Sequence, residues 1–286
     1  MLKIIKYLKS GLVVSAITAM SVGLSAGAVY AQEEEDEKEK EASSREVLVE
    51  CDKGQSVTQT LVQFANDTKP LEIIVKGTCD NEPEGEIQIE RNQVDLIGDE
   101  EIGGTIPFML VDGGRQIGIG GNLTLNEGLA VGAGQVEIET EGEVTINGAI
   151  FVSGQGGLGI STEASDDDDD DESLNGTEAG KVVINGLVSV ENHSLLEVQR
   201  QVNEGDVTFN DEINLSLQSS LHMSDATAGN IVLGKDSHAF LGDNVIPKDG
   251  PGGNWISCDS ESRVWGNTTG FDVLNDPLYG MFCQGD

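Results

Sequence analysis

The chain has 286 residues, with 51 acidic against 16 basic side chains and a formal net charge of −35 at pH 7. Such a surface repels nucleic acid and anionic lipid, so both are excluded as partners of the folded body, and it accepts polyanionic sugars only through bridging cations. The charge also suits salty surroundings, where screening over about 8 Å or less relieves self-repulsion and the excess carboxylates keep the protein in solution.

Lys3, Lys6 and Lys9 precede an apolar run from Gly11 to about Gly27, and Val29-Tyr30-Ala31 offers small residues at cleavage positions. This is the pattern of a secretory signal peptide over residues 1–31, cut before Gln32. The run approaches membrane-spanning length, but Ser, Ala and Gly dilute it, which favours cleavage over an anchor. Removing the signal leaves 13 basic against 51 acidic residues, a formal −38. The exported chain is then expected to have no membrane partner. Residues 32–46, with Glu33-Glu34-Glu35-Asp36-Glu37, hold almost no apolar side chain and form an acidic linker that cannot fold by burial. The folded body is expected over residues 47–286.

Cys51, Cys79, Cys258 and Cys283 lie two near each end of that body. An even count in an exported chain predicts disulfides, and proximity pairs Cys51 with Cys79 and Cys258 with Cys283. A metal site is the rival, but no Cys-x-x-Cys spacing occurs and His193, His222 and His238 all lie mid-chain. After Cys51, Ser56 can cap a helix whose apolar positions Val57, Leu61, Phe64 and Ala65 share one face. That helix is expected to close the open end of a core.

Strands are predicted at Leu71–Val75, Ile87–Ile89 and Val94–Ile97. The runs from Val49 to Val57 (Val-Glu-Cys-Asp-Lys-Gly-Gln-Ser-Val), from Leu71 to Cys79 (ending Gly-Thr-Cys) and from Arg91 to Gly98 (an Arg, then Val-Asp-Leu-Ile-Gly) carry a resemblance. They are similar to the opening of secreted bacterial proteins of the pectin-lyase-like superfamily. The resemblance implies a right-handed parallel β-helix with a short N-terminal capping helix, and it covers about 50 residues closely. It specifies activity poorly, because the superfamily includes lyases, hydrolases and adhesive proteins.

From Leu123 onward a short phrase recurs: Leu123-Thr124-Leu125-Asn126, Val144-Thr145-Ile146-Asn147, Val182-Val183-Ile184-Asn185, Val207-Thr208-Phe209-Asn210 and Ile231-Val232-Leu233-Gly234. Alternating β-branched units at this period predict an all-β solenoid of seven or eight coils, each burying its apolar face on its neighbours. Repeated Gly suits the corners, and Asn126, Asn147, Asn185 and Asn210 can stack as a ladder along one of them. The wide interval between the second and third units places an insertion at residues 161–180, with six consecutive aspartates from Asp166 to Asp171. Asp166, Asp168 and Asp170 are the candidate ligands for weak Ca²⁺ binding, although the loop lacks the alternating Asp spacing and Gly of a tight site. No other cofactor is expected. Gly154, Gly156 and Gly159 match a dinucleotide fingerprint by spacing, which counts only if it opens a helix.

After Phe240 the repeat dissolves, and residues 247–286 collect Trp255, Trp265, Phe271, Tyr279 and Phe282. This segment is expected to cap the last coil, with Trp255 and Trp265 also candidates for stacking on sugar. The resemblance would allow a lyase with Ca²⁺-holding aspartates and a basic residue, or a hydrolase with paired aspartates and Gly-His-Gly, but neither motif is present. Arg200 and His222, on the repeat coils, are the candidate catalytic residues if the protein is an enzyme. The sequence therefore points to a non-catalytic surface-interaction protein whose partner is a polysaccharide or other cell-surface component. A polysaccharide lyase or hydrolase and a structural cell-envelope protein are the alternatives.

Overall fold

A computed structural model of the chain describes residues 44–162, 180–199, 205–274 and Cys283. The expected signal peptide, most of the linker, Asp166, Asp168, Asp170, Arg200, Tyr279 and Phe282 lie outside the described residues.

The body is an all-β parallel solenoid of about nine turns with one short α-helix. A single turn cannot bury its own aliphatic side chains, so each strand pairs in parallel with its equivalents one turn before and after. Three stacks result. The first sheet runs from Arg45–Glu50 through Leu71–Thr78, Val94–Gly98, Gln116–Gly121, Gln135–Thr140 and Gly157–Thr162 to Leu195–Val198, Ser220–Met223, His238–Leu241 and Arg263–Gly266. The second begins where the end of Leu71–Thr78 bends to pair Gly77 with Gly104, and it continues to Ile246–Pro247. The third has nine strands, from Glu86–Ile89 to Asp272–Leu274.

Strict alternation sorts the side chains. In the first sheet, Leu71, Val94, Ile117, Val136, Leu158, Leu196, Leu221, Ala239 and Val264 stack inward in register and are all buried. Equivalent aliphatic rows line the other sheets, and Phe209 is the largest fully buried side chain. Full burial of such a side chain contributes roughly 1.5–3 kcal/mol. Repeated in every turn, these contributions hold together a chain with a formal net charge of −35.

The helix α1, Val57–Gln63, covers the first turn with Val57 and Leu61 buried. Ser56 caps it, its Oγ accepting the Gln59 N–H at 3.2 Å. Glu82, distant in sequence, is a second cap: its carboxylate accepts the Ser56 hydroxyl at 2.8 Å and the Val57 and Thr58 N–H groups at 2.6 and 3.0 Å. The helix stops earlier than its apolar spacing predicts, because Phe64 takes a non-helical C-cap conformation and leaves Ala65 exposed. Arg91 holds that end, donating from Nη1 to the Phe64 carbonyl at 2.6 Å.

Three sequence expectations need correcting. The solenoid begins at Arg45, two residues into the expected linker, because Arg45 pairs with Leu71. Ile231–Leu233 is not the fifth unit of the repeat: it sits in the third sheet opposite Ile213, while Val207 is followed in the second sheet by Ala226. That strand, Ala226–Ala228, carries small side chains that give no aliphatic signal. Residues 247–274 are not a separate cap either, since Trp255–Cys258, Arg263–Gly266 and Asp272–Leu274 continue the stack and raise the count to about nine turns. The Gly154, Gly156 and Gly159 motif, which counted only if it opened a helix, leads into the strand Gly157–Thr162.

The asparagine ladder does form. Asn147 Nδ2 donates to Asn126 Oδ1 at 3.4 Å, Asn185 Nδ2 to Asn147 Oδ1 at 2.8 Å and Asn210 Nδ2 to Asn185 Oδ1 at 2.7 Å. The middle bond joins residues on either side of the Asp-rich insertion, whose flanks Thr162 and Gly180 lie where the first sheet turns into the second. The cysteines pair as their order predicts, Cys51 with Cys79 and Cys258 with Cys283.

Candidate functional site

Parallel in-register stacking converts residues far apart in sequence into straight rows about 4.8 Å apart from rung to rung. One outward row of the first sheet starts with Glu46, Glu72, Asp95, Gly118 and Glu137. It continues through Gly159 and Glu197 to His222, Phe240 and Trp265. A single line thus changes from carboxylates to aromatic rings.

At the aromatic end, Phe240 is 49% exposed and Trp265 is 38% exposed. His222 meets Phe240 edge-on, with ring centroids 6.4 Å apart and planes at 80°. In the adjoining row Ser220, His238 and Arg263 are in register, and the His238 ring lies 5.4 Å from that of Trp265. Arg263 Nη1 donates to the Ser262 carbonyl at 2.8 Å, which ties the guanidinium to the corner. The result is a strip of four rings on the outer face of the sheet, exposed because alternation turns their neighbours Leu221, Ala239, Leu241 and Val264 inward.

At the acidic end, Glu72 is 9% exposed and its carboxylate has no hydrogen bond or salt bridge among the described residues. Burial raises its pKa above the ordinary glutamate value, and Glu46 and Asp95 on the flanking rungs add to the shift. Asp95 is raised chiefly by burial and further by Glu137, against the opposing effect of the Gly118 N–H.

The predicted site residues divide. His222 and Trp265 come together on this strip, linked by Phe240, whereas Trp255 lies half-buried on the third sheet, its backbone N–H donating to Asn230 Oδ1 at 3.2 Å. Trp265 stands on the outer face of the first sheet and does not cover the last coil. Arg200 and the candidate Ca²⁺ ligands Asp166, Asp168 and Asp170 are outside the described residues. The sequence places His238 on the repeat coils with His222, but Phe240, Glu197 and Glu137 are not among its candidates. Only the register shows that they align.

His222 faces Glu197 across one rung, yet no third group completes an acid–base set there, and no cluster of three metal-ligating side chains occurs among the described residues. Three lysines elsewhere are engaged: Lys76 with Asp99 at 3.4 Å, Lys181 with Glu143 at 3.6 Å, and Lys248 with the Asn210 carbonyl at 2.9 Å. No described helix is long and apolar enough to cross a membrane. Comparison with protein-family models, curated proteins and solved structures gave no match to this chain.

Proposed function

We propose that this chain is an exported, non-catalytic β-helix protein, of the pectin-lyase-like kind its opening residues resemble, that binds polysaccharide on the outer face of its first sheet. The observation that carries the reading is the pair of exposed rings, Phe240 and Trp265, in register on adjacent rungs and flanked by His222 and His238. Exposed aromatic rings in a row offer flat apolar surfaces to the faces of successive sugar rings, and their polar flanks serve hydroxyl groups. Two disulfides suit an oxidising, extracytoplasmic setting.

The test is retention of the purified protein on a panel of immobilised glycans, with and without Ca²⁺, alongside assay of released sugar. Binding without product release is expected, and Phe240→Ala with Trp265→Ala should weaken it by about tenfold or more, as loss of aromatic anchors does elsewhere. Release of unsaturated or reducing sugar that is abolished by His222→Ala would replace this reading with the lyase or hydrolase one. Retention unaffected by the aromatic substitutions would overturn the assignment of the face.

A further inference from the structure

The row that carries Phe240 and Trp265 does not end with them. Moving toward the N-terminal cap it meets His222, then Glu197, then a bare rung at Gly159, then Glu137. Stacking surface and negative charge therefore share one in-register row on one sheet. We propose that the polymer this face takes is an amino-sugar glycan carrying free ammonium groups, laid along the row with pyranose rings on Phe240 and Trp265 and ammonium groups toward Glu197 and Glu137. The inference rests on the carbohydrate-binding reading above and adds the charge of the ligand.

Three observations converge on it. Charge complementarity selects a cation, since the outward row has no basic side chain other than His222 along its length, and the chain as a whole carries −35. The bare rung at Gly159, where only Glu137 Cγ comes within contact range, separates Glu137 from Glu197, so this part of the row presents spaced charges. Geometry favours a sugar over a basic polypeptide: peptides gain affinity by adding to a free strand edge or filling pockets, and every strand of this row from Glu72 to Phe240 is already paired on both sides. An ammonium group near Trp265 or Phe240 also gains from the ring face itself.

The experiment titrates the purified protein with a six-unit glucosamine oligomer, its fully N-acetylated counterpart, oligogalacturonate and poly-lysine, at low and high salt. The glucosamine oligomer should bind about tenfold more tightly than the acetylated one, with the advantage shrinking at high salt. Glu137→Gln with Glu197→Gln should reduce that advantage by about three- to tenfold and leave the acetylated oligomer unaffected, because exposed charges contribute modestly and only to a charged ligand. Phe240→Ala with Trp265→Ala should weaken both. Thermal melting of each variant, and the single Glu197→Gln protein, separate lost binding from lost folding. Equal affinity for the two oligomers, or an unchanged preference in the Gln variants, overturns the inference while the carbohydrate reading stands. Poly-lysine binding as tight as glucosamine and indifferent to the aromatic substitutions overturns the sugar class. Binding to none of the glycans defeats the inference and the carbohydrate reading together.

Discussion

Replacing Glu72 by Gln should stabilise this protein at neutral pH. Glu72 is buried on the outer face of the first sheet, lies in register between Glu46 and Asp95, and has no counter-charge among the described residues. Carboxylates on adjacent rungs are about 5 Å apart. At that separation two unit charges repel by about 1 kcal/mol in water-like surroundings and about 3 kcal/mol at the effective dielectric of a protein surface. Gln keeps the shape and removes the charge, so a gain of about 1–3 kcal/mol is expected, or about 2–4 °C in Tm for each kcal/mol. The sign of the pH dependence follows from linkage. Because the folded protein holds the Glu72 proton more tightly than the unfolded chain, the penalty is complete above the raised folded pKa and vanishes below the ordinary value of 4.5. Asp95 acts in the same sense. Wild-type stability should thus rise as pH falls from 7 toward about 4.5, and the two proteins should converge there. Urea unfolding of both across pH 3.5–8 measures this. A Gln variant no more stable than wild type at pH 7, or an advantage that persists undiminished at pH 4, would refute the reasoning.

Below that range the balance reverses, since the Lys69 N–H holds the Asp67 pKa down and the Gly113 and Ala133 N–H groups do the same for Asp112, so stability should fall as pH drops through about 3.8 and beneath. Asn185→Ala removes two rungs of the ladder, at 2.8 and 2.7 Å, and should cost about 1 kcal/mol in urea unfolding, whereas Asn126→Ala, which loses only a 3.4 Å end bond, should cost much less. Glu82→Ala leaves the Ser56 hydroxyl and the Val57 and Thr58 N–H groups without their shared acceptor, and a loss of about 2–4 kcal/mol with faster amide exchange over α1 is expected.

What could be read from the chain was whatever repeats or alternates. Val144, Val182 and Val207 announce the second sheet because each is a β-branched residue before an alternating apolar partner and an Asn, and the ladder followed from the same spacing. The reading failed where a strand is built of small residues, as at Ala226–Ala228, or includes Pro, as at Ile246–Pro247, since burial there is supplied by neighbouring turns and not by the strand itself. Trp265 was visible as a candidate, but its company was not. Phe240 and His222 precede it by one and two turns, and the lengths of intervening corners, which set the register, obey no pattern in the sequence. Glu82 shows the same limit, because nothing local marks a carboxylate as the cap of a helix that the chain left long before.

The corner between Thr162 and Gly180 bears on how such a molecule changes over time. On its two sides Glu143 pairs with Lys181 and Asn147 with Asn185 without any shift in register, although residues 163–179 intervene between the preceding strand and the next. The stack therefore reads only where the chain re-enters, and not how far it has travelled. Sequence can be added, exchanged or deleted at that corner while the row from Glu137 to Trp265 keeps its alignment. The solenoid in this sense separates two heritable properties, the pattern on a face and the cargo carried at an edge, and lets each vary without disturbing the other.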